Sequence, residues 1–169
     1  MRFNLMWFNL IGFNLSWLGL VIYGDKFSVF AILWLLSHLY LTTQKVIEVK
    51  LITLITSVGL IIDTCLLHIG IFTFDTFYII PFWLIVLWAC FAATIRCSLS
   101  FLENSKRLQL LCGLIFPPLS YITGASLSAV TLNHSIVTTY ALLAAIWGPL
   151  MLIIYSLKAK LIHLEVSDA

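Results

Sequence analysis

Asp63 is the residue whose type and placement most suggest chemistry. It lies inside the otherwise uncharged run from Leu51 to Phe72. An acid at membrane depth costs about 2.5–3.5 kcal/mol on the insertion scale, so such a residue serves as a proton site, a ligand contact or a polar pin between helices. Arg96 can snorkel to the headgroups along its aliphatic stem, or reach down to pair with Asp63. His38 offers a proton-relay nitrogen in a second apolar run. Cys65 and His68 share a helix face at i, i+3, which is half a metal site, but no second pair of ligands stands at useful spacing and no metal is expected.

Enzyme patterns are thin. A two-aspartate intramembrane protease needs a second membrane acid, and Asp63 stands alone. Gly124-Ala125-Ser126 is a fragment of a serine-nucleophile pattern, without its last glycine or a placed histidine. No glycine-rich phosphate loop is present. No catalytic residue and no cofactor are assigned, and the leaning is away from an enzyme.

The elements that hold these residues follow from composition. The chain has 169 residues, 62% hydrophobic and 9% charged, with a mean hydropathy of +1.10. A soluble domain carries roughly 25% charged residues, so the bilayer must be part of the solvent. A net charge of +2, with no Lys/Arg run longer than two, excludes a nucleic-acid partner and a polybasic lipid-binding tail. Cys65, Cys90, Cys97 and Cys112 all lie in apolar stretches and read as free, buried thiols. The uncharged run after Arg2 spans 22 residues with no A-x-A site behind it, and reads as a retained helix rather than a signal peptide.

Charges punctuate the chain. With about 20 apolar residues needed per crossing, the spans fall near 3–23, 27–43, 51–72, 77–102, 108–131 and 136–157. Lys45, Glu48 and Lys50 form a polar connection between the second and third. The stretch from Leu108 to Leu157 holds no charge in 50 residues, too long for one helix, and breaks at Asn133-His134-Ser135. With both termini inside, eight of the nine basic residues fall on the inner side and only Lys26 outside, as the positive-inside rule requires. The expectation is an all-α, six-helix transmembrane bundle, a single domain over 1–169 with cytoplasmic termini and no soluble domain.

Small-residue stripes turn Asp63 and Arg96 inward. They comprise Thr56, Gly59, Asp63 and Gly70; Ala89, Ala93, Arg96 and Ser100; Gly113, Pro117, Ser120, Gly124 and Ser128; and Ala141, Ala144, Ala145 and Gly148. At about 1.5 Å per residue, Asp63 stands ~18 Å from the inner end of its span, Asn14 ~16 Å, Pro117 ~14 Å and Pro149 ~12 Å. Ser120 and Tyr121 are close in depth. The expected binding layer is therefore Asp63, Asn14, Ser120 and Tyr121, beside helix breaks at Pro117, Pro118 and Pro149. Arg96 and His38 are secondary candidates. Asn14 is a possible hydrogen-bond partner for Asp63. The Phe-Asn-Leu repeats at 3, 8 and 13 step about 140° around a helix, share no face, and read as low-complexity coincidence.

Several segments together resemble a small bacterial inner-membrane family catalogued as domain of unknown function 2878. They are Asn14-Leu-Ser-Trp17 through Gly24, Ser37-His38-Leu39, Gly59 to Asp63, Pro81-Phe-Trp83 through Trp88-Ala-Cys-Phe-Ala-Ala-Thr94, and Gly113 through Pro117 and Tyr121 to Gly124. The resemblance covers most of the chain and is most specific in the Pro-x-Trp-x4-Trp block. Members carry an Asn-His-Ser run after that threonine where this chain reads Ile95-Arg96-Cys97-Ser98, which sets Arg96 apart. The resemblance implies no established activity. It implies the bacterial inner membrane as location, Asp63 and the Pro117/Tyr121 region as shared residues, and a genetic neighbourhood of enzymes that modify membrane fatty acids. The leading expectation is an accessory or scaffold protein whose partners are the lipid bilayer and membrane-lipid-modifying enzymes or a second copy of itself. The alternatives are a small permease or proton-coupled carrier around Asp63, and an intramembrane lipid enzyme.

Overall fold

Gly24 decides where the chain first turns back. In a computed structural model that describes residues 2–74 and 80–167, helix α1 (Arg2–Tyr23) ends where Gly24 adopts φ +57°. Glycine takes this left-handed backbone freely, while an L side chain pays about 1–2 kcal/mol. A 3-10 turn (Gly24–Phe27) leads into α2 (Ser28–Leu41). The two helices lie antiparallel: Asn9 meets His38, Gly12 receives the Trp34 indole and Gly19 the Phe27 ring.

Helix α3 (Lys45–His68) begins before the apolar run does. Lys45, Glu48 and Lys50 belong to it and are not a connection. No Gly or Pro interrupts these residues, and an acid in a helix's first turn is favourable. Strand β1 (Phe72–Thr73) follows. Helix α4 (Phe82–Ala92) has a distant cap, for the Asp25 carboxylate at the α1–α2 tip accepts from the Trp83 N–H at 2.8 Å.

The expected span 77–102 is not one helix. Its first residues, 77–79, lie outside the described residues, and the α-helix ends at Ala92. Beyond it the bonds tighten to i→i−3, as in Thr94 N–H to Phe91, Ile95 N–H to Ala92 and Cys97 N–H to Thr94, ending in a 3-10 turn (Ser100–Leu102). The Thr94 hydroxyl bonds the Phe91 carbonyl at 2.6 Å, a local contact that competes with the regular ladder.

Helix α5 (Lys106–Ser126) starts on Ser105, whose hydroxyl accepts from the Leu108 N–H. Pro117 and Pro118 do not break it, and Pro149 does not break α6; each helix runs on through its prolines. Pro118 leaves the Leu114 carbonyl without its helical donor, and the Tyr140 hydroxyl supplies one at 3.1 Å. The expected span to 131 gives out at Ser126. There Ser128 turns at φ +62° and the Ala129 N–H bonds back to Gly124, a helix-ending motif that usually holds glycine. Strand β2 (Thr131–Leu132) pairs antiparallel with β1, Phe72 opposite Leu132 and Thr73 opposite Thr131. After the Asn133-His134-Ser135 break, α6 (Ile136–Ser167) continues beyond the expected end at 157.

Among the described residues, four helical stretches are long and apolar enough to cross a membrane: Asn4–Leu41, Lys45–His68, Lys106–Ser126 and Ile136–Leu164. The first is the folded α1–α2 pair, and α4 is apolar but only 11 residues long. The described residues are thus those of a mostly helical membrane protein, with one short strand pair among them. Helices α5 and α6 meet closely: a Cβ at Gly113 would stand 2.4 Å from the Trp147 carbonyl oxygen. The start of α1 and the far part of α6 occupy one end, where Lys158 reaches Glu103 at 2.9 Å and the Tyr155 hydroxyl donates to the Leu99 carbonyl. The β1–β2 pair closes the other end.

Candidate functional site

The fully buried stripe of α3 climbs from Glu48 through Ile52, Ile55 and Gly59 to Asp63. Asp63 is completely buried. One carboxylate oxygen accepts the Trp88 indole N–H at 2.6 Å, and the other accepts the Tyr121 hydroxyl. Gly59 makes the first bond geometrically possible. A Cβ there would come within 2.1 Å of the Trp88 ring, so the indole lies against the α3 backbone and its N–H reaches the acid one turn away. Trp88 stacks on Trp147 with centroids 5.1 Å apart and planes at 6°. Phe91 stands edge-on to both indoles. Helices α3, α4, α5 and α6 therefore meet at one carboxylate inside an aromatic box.

The two donors differ in kind. The indole N–H can only donate, whereas a phenol hydroxyl both donates and accepts. A protonated Asp63 keeps both bonds if Tyr121 turns its hydroxyl to accept. The pair can hold or release a proton without rearranging a helix.

Of the residues expected to join Asp63, only Tyr121 does. Asn14 is exposed, and its amide bonds the Leu10 carbonyl of its own helix. Ser120 points elsewhere and accepts the Trp17 indole N–H at 2.7 Å. Arg96 does not pair with Asp63: one nitrogen bonds Glu48 at 2.8 Å and another the Gln44 amide oxygen. Cys65 and His68 are both exposed, and the His68 ring bonds the Thr64 carbonyl.

A second polar centre lies at the end that holds the termini. Asn9 is fully buried. Its amide oxygen accepts from the Ser98 N–H and hydroxyl, at 3.2 and 2.6 Å. Its amide nitrogen donates to the Ala93 carbonyl at 3.1 Å and faces His38 Nδ1 at 3.2 Å. A backbone N–H can only donate and a carbonyl can only accept, so the amide's orientation is fixed. His38 Nδ1 must then accept, and its Nε2–H donates to Glu48 at 3.1 Å. The other Glu48 oxygen takes Arg96. Both ring nitrogens of His38 are occupied, which leaves no free base for a substrate proton.

Reading along the chain placed Glu48 in a connection and Asn9 in a chance repeat; both are corrected here. The signal for Glu48 was available, since it shares the helical ladder that carries Asp63. For Asn9 no local signal existed, because its partners lie on α2 and in the turns after α4.

A cleft of about 730 Å³ runs between α1 and α5 with α4 at its back. Its α1 wall includes Met6, Leu10, Phe13, Trp17 and Val21, and its α5 wall includes Phe116, Leu119 and Gly124. Trp88 and Tyr121 line it, while Asp63 lies behind them. The Trp17–Ser120 bond ties the two walls together.

No curated protein and no solved structure matches the chain. A family model described as protein of unknown function (DUF2878) matches residues 6–153. That stretch contains Asn9, His38, Glu48, Asp63, Trp88, Arg96 and Tyr121, and the chain belongs to this family.

Proposed function

We propose that this chain is an accessory membrane protein without catalysis of its own, which crosses the bacterial inner membrane six times and scaffolds partners that modify membrane lipids. One observation carries this reading. Among the described residues, the buried acids Asp63 and Glu48 and the buried histidine are each bonded to another part of the protein: both oxygens of Asp63, both nitrogens of His38 and both oxygens of Glu48. A carrier or enzyme needs at least one such group turned toward its ligand. The topology is supported by charge. Lys45, Lys50, Lys106, Arg107, Lys158 and Lys160 lie toward the end that holds the termini, with Lys26 at the opposite turn. Alkaline-phosphatase fusions should be active at Lys26 and silent at Glu103. Activity at Glu103 defeats the six-span topology.

A proton-coupled carrier is the second reading, favoured by Tyr121. Its hydroxyl bonds Asp63 while its ring lines the cleft, so a proton on the acid is one hydroxyl away from that space. Native extraction of tagged wild type and Asp63→Asn, followed by mass spectrometry, separates the two. A specific protein partner retained by both forms supports the accessory role. A small molecule held by wild type and lost from a folded Asp63→Asn supports the carrier.

A further inference from the structure

We infer that the cleft between α1 and α5 is a binding site for a single unbranched hydrocarbon chain, the tail of a membrane lipid or of a fatty acid. The cleft is half open to its surroundings, so it is filled by whatever surrounds the chain. Its occupant is either water or hydrocarbon, and the lining decides between them. Among the described residues, no Asp, Glu, Lys or Arg lines it. A buried water needs two to four polar partners; the Trp147 indole N–H on the lining is without one, but most of the other polar side chains here are engaged with protein. Thr94 bonds Phe91, Thr123 bonds Leu119, Ser98 bonds Asn9 and Asn14 bonds Leu10. Trp17 and Ser120 bond each other, and Tyr121 bonds Asp63. Water has little to bind, whereas hydrocarbon loses nothing.

The shape selects the class of hydrocarbon. The α1 wall extends from Met6 to Val21, about 22 Å at 1.5 Å per residue, with aromatic rings along it. That is a long cleft suited to an extended chain, and its volume lies within the range of small-molecule pockets. Both walls belong to stretches apolar enough to cross a membrane, so a lipid tail reaches the cleft from the side. This site is independent of the accessory role proposed above and stands whether or not a partner protein is found.

Gly124 supplies the test. It lines the cleft, and a Cβ there meets only Val130 Cγ1 at 3.7 Å, so a larger side chain fills the cleft without disturbing the backbone. Cells expressing the tagged protein are fed a diazirine-bearing palmitic acid and irradiated, and labelled peptides are mapped on the purified protein. The label should concentrate on residues 6–21 and 116–124. In Gly124→Leu it should fall about tenfold, the loss expected for about 1.4 kcal/mol of contact. Thr123→Phe, on the exposed rim, gives the same readout should Gly124→Leu fail to fold. Val137→Phe, on an exposed face of α6 away from the cleft, should leave labelling unchanged. Label esterified to phospholipid identifies a membrane-lipid tail, and unesterified label a fatty acid; either supports the site. Label spread evenly over outward residues such as Val29 and Phe30, and indifferent to Gly124→Leu and Thr123→Phe, overturns it.

Discussion

Two buried acids stand on one stripe of α3, fifteen residues and so about 22 Å apart, and they are built on opposite logic. At Asp63 one of the two donors is a hydroxyl that can reverse. At Glu48 each partner's role is fixed by a chain of others: Ser98 and Ala93 orient Asn9, Asn9 sets the His38 tautomer, and Arg96 can only donate. The first centre tolerates a change of protonation, and the second admits a single arrangement of its protons. A buried polar network that is fully satisfied in one arrangement fixes geometry. The Glu48 centre therefore reads as the clamp that joins α1, α2, α3 and the turns after α4. The Asp63 centre, with a reversible hydroxyl as one of its donors, is the less constrained of the two.

The sharpest way to break this contrast is a pair of acid-to-amide substitutions. Glu48→Gln must turn its oxygen to Arg96 and its NH2 to His38, which forces the His38 proton onto the nitrogen facing the Asn9 amide. It should destabilise the protein by about 3 kcal/mol, since it leaves a buried charge and donors unpaired. Asp63→Asn can face its oxygen to Trp88 and its NH2 to a reversed Tyr121 hydroxyl, and should cost less than about 1 kcal/mol. Thermal unfolding of the two in detergent measures both, and equal losses would erase the distinction.

Asparagines give the next comparison. Asn9→Ala should cost about 2 kcal/mol, because it strands the Ser98 and Ala93 groups. Asn14→Ala, on an exposed face and bonded only within its own helix, should stay within about 0.5 kcal/mol. Gly59→Ala sharpens the Asp63 side alone. Its methyl displaces the Trp88 indole, so it should cost about 1.5 kcal/mol and shift tryptophan fluorescence, while the Glu48 centre remains intact. The one change expected to stabilise belongs to neither centre. Ser128→Gly removes a left-handed serine and should raise stability by about 1 kcal/mol, which sets the scale against which the other losses are judged.

How far the chain could be read depended on whether a signal was local. Asp63 stood out because one charge in an apolar run is visible without neighbours, and Asn133-His134-Ser135 and the charge punctuation marked turns for the same reason. Pro117, Pro118 and Pro149 misled, because a proline's cost depends on what satisfies the freed carbonyl, and the Tyr140 hydroxyl that does so for Leu114 lies on another helix. The span expected at 77–102 tightened after Ala92, where Thr94 and Ser100 bond nearby carbonyls.

The sequence by itself determined that this is a helical membrane protein with an inward acid at Asp63, because hydropathy and helical periodicity are additive along the chain. Tertiary structure decided that Asp63 answers to Trp88 and Tyr121 rather than to Asn14 or Arg96. It also decided that Glu48 and Asn9 are buried, and that α1 and α5 enclose a cleft. Hydrogen-bond partnership between helices depends on rotation and depth set by packing at Gly12, Gly59 and Gly113, where the absence of a side chain lets a neighbouring ring or backbone come close.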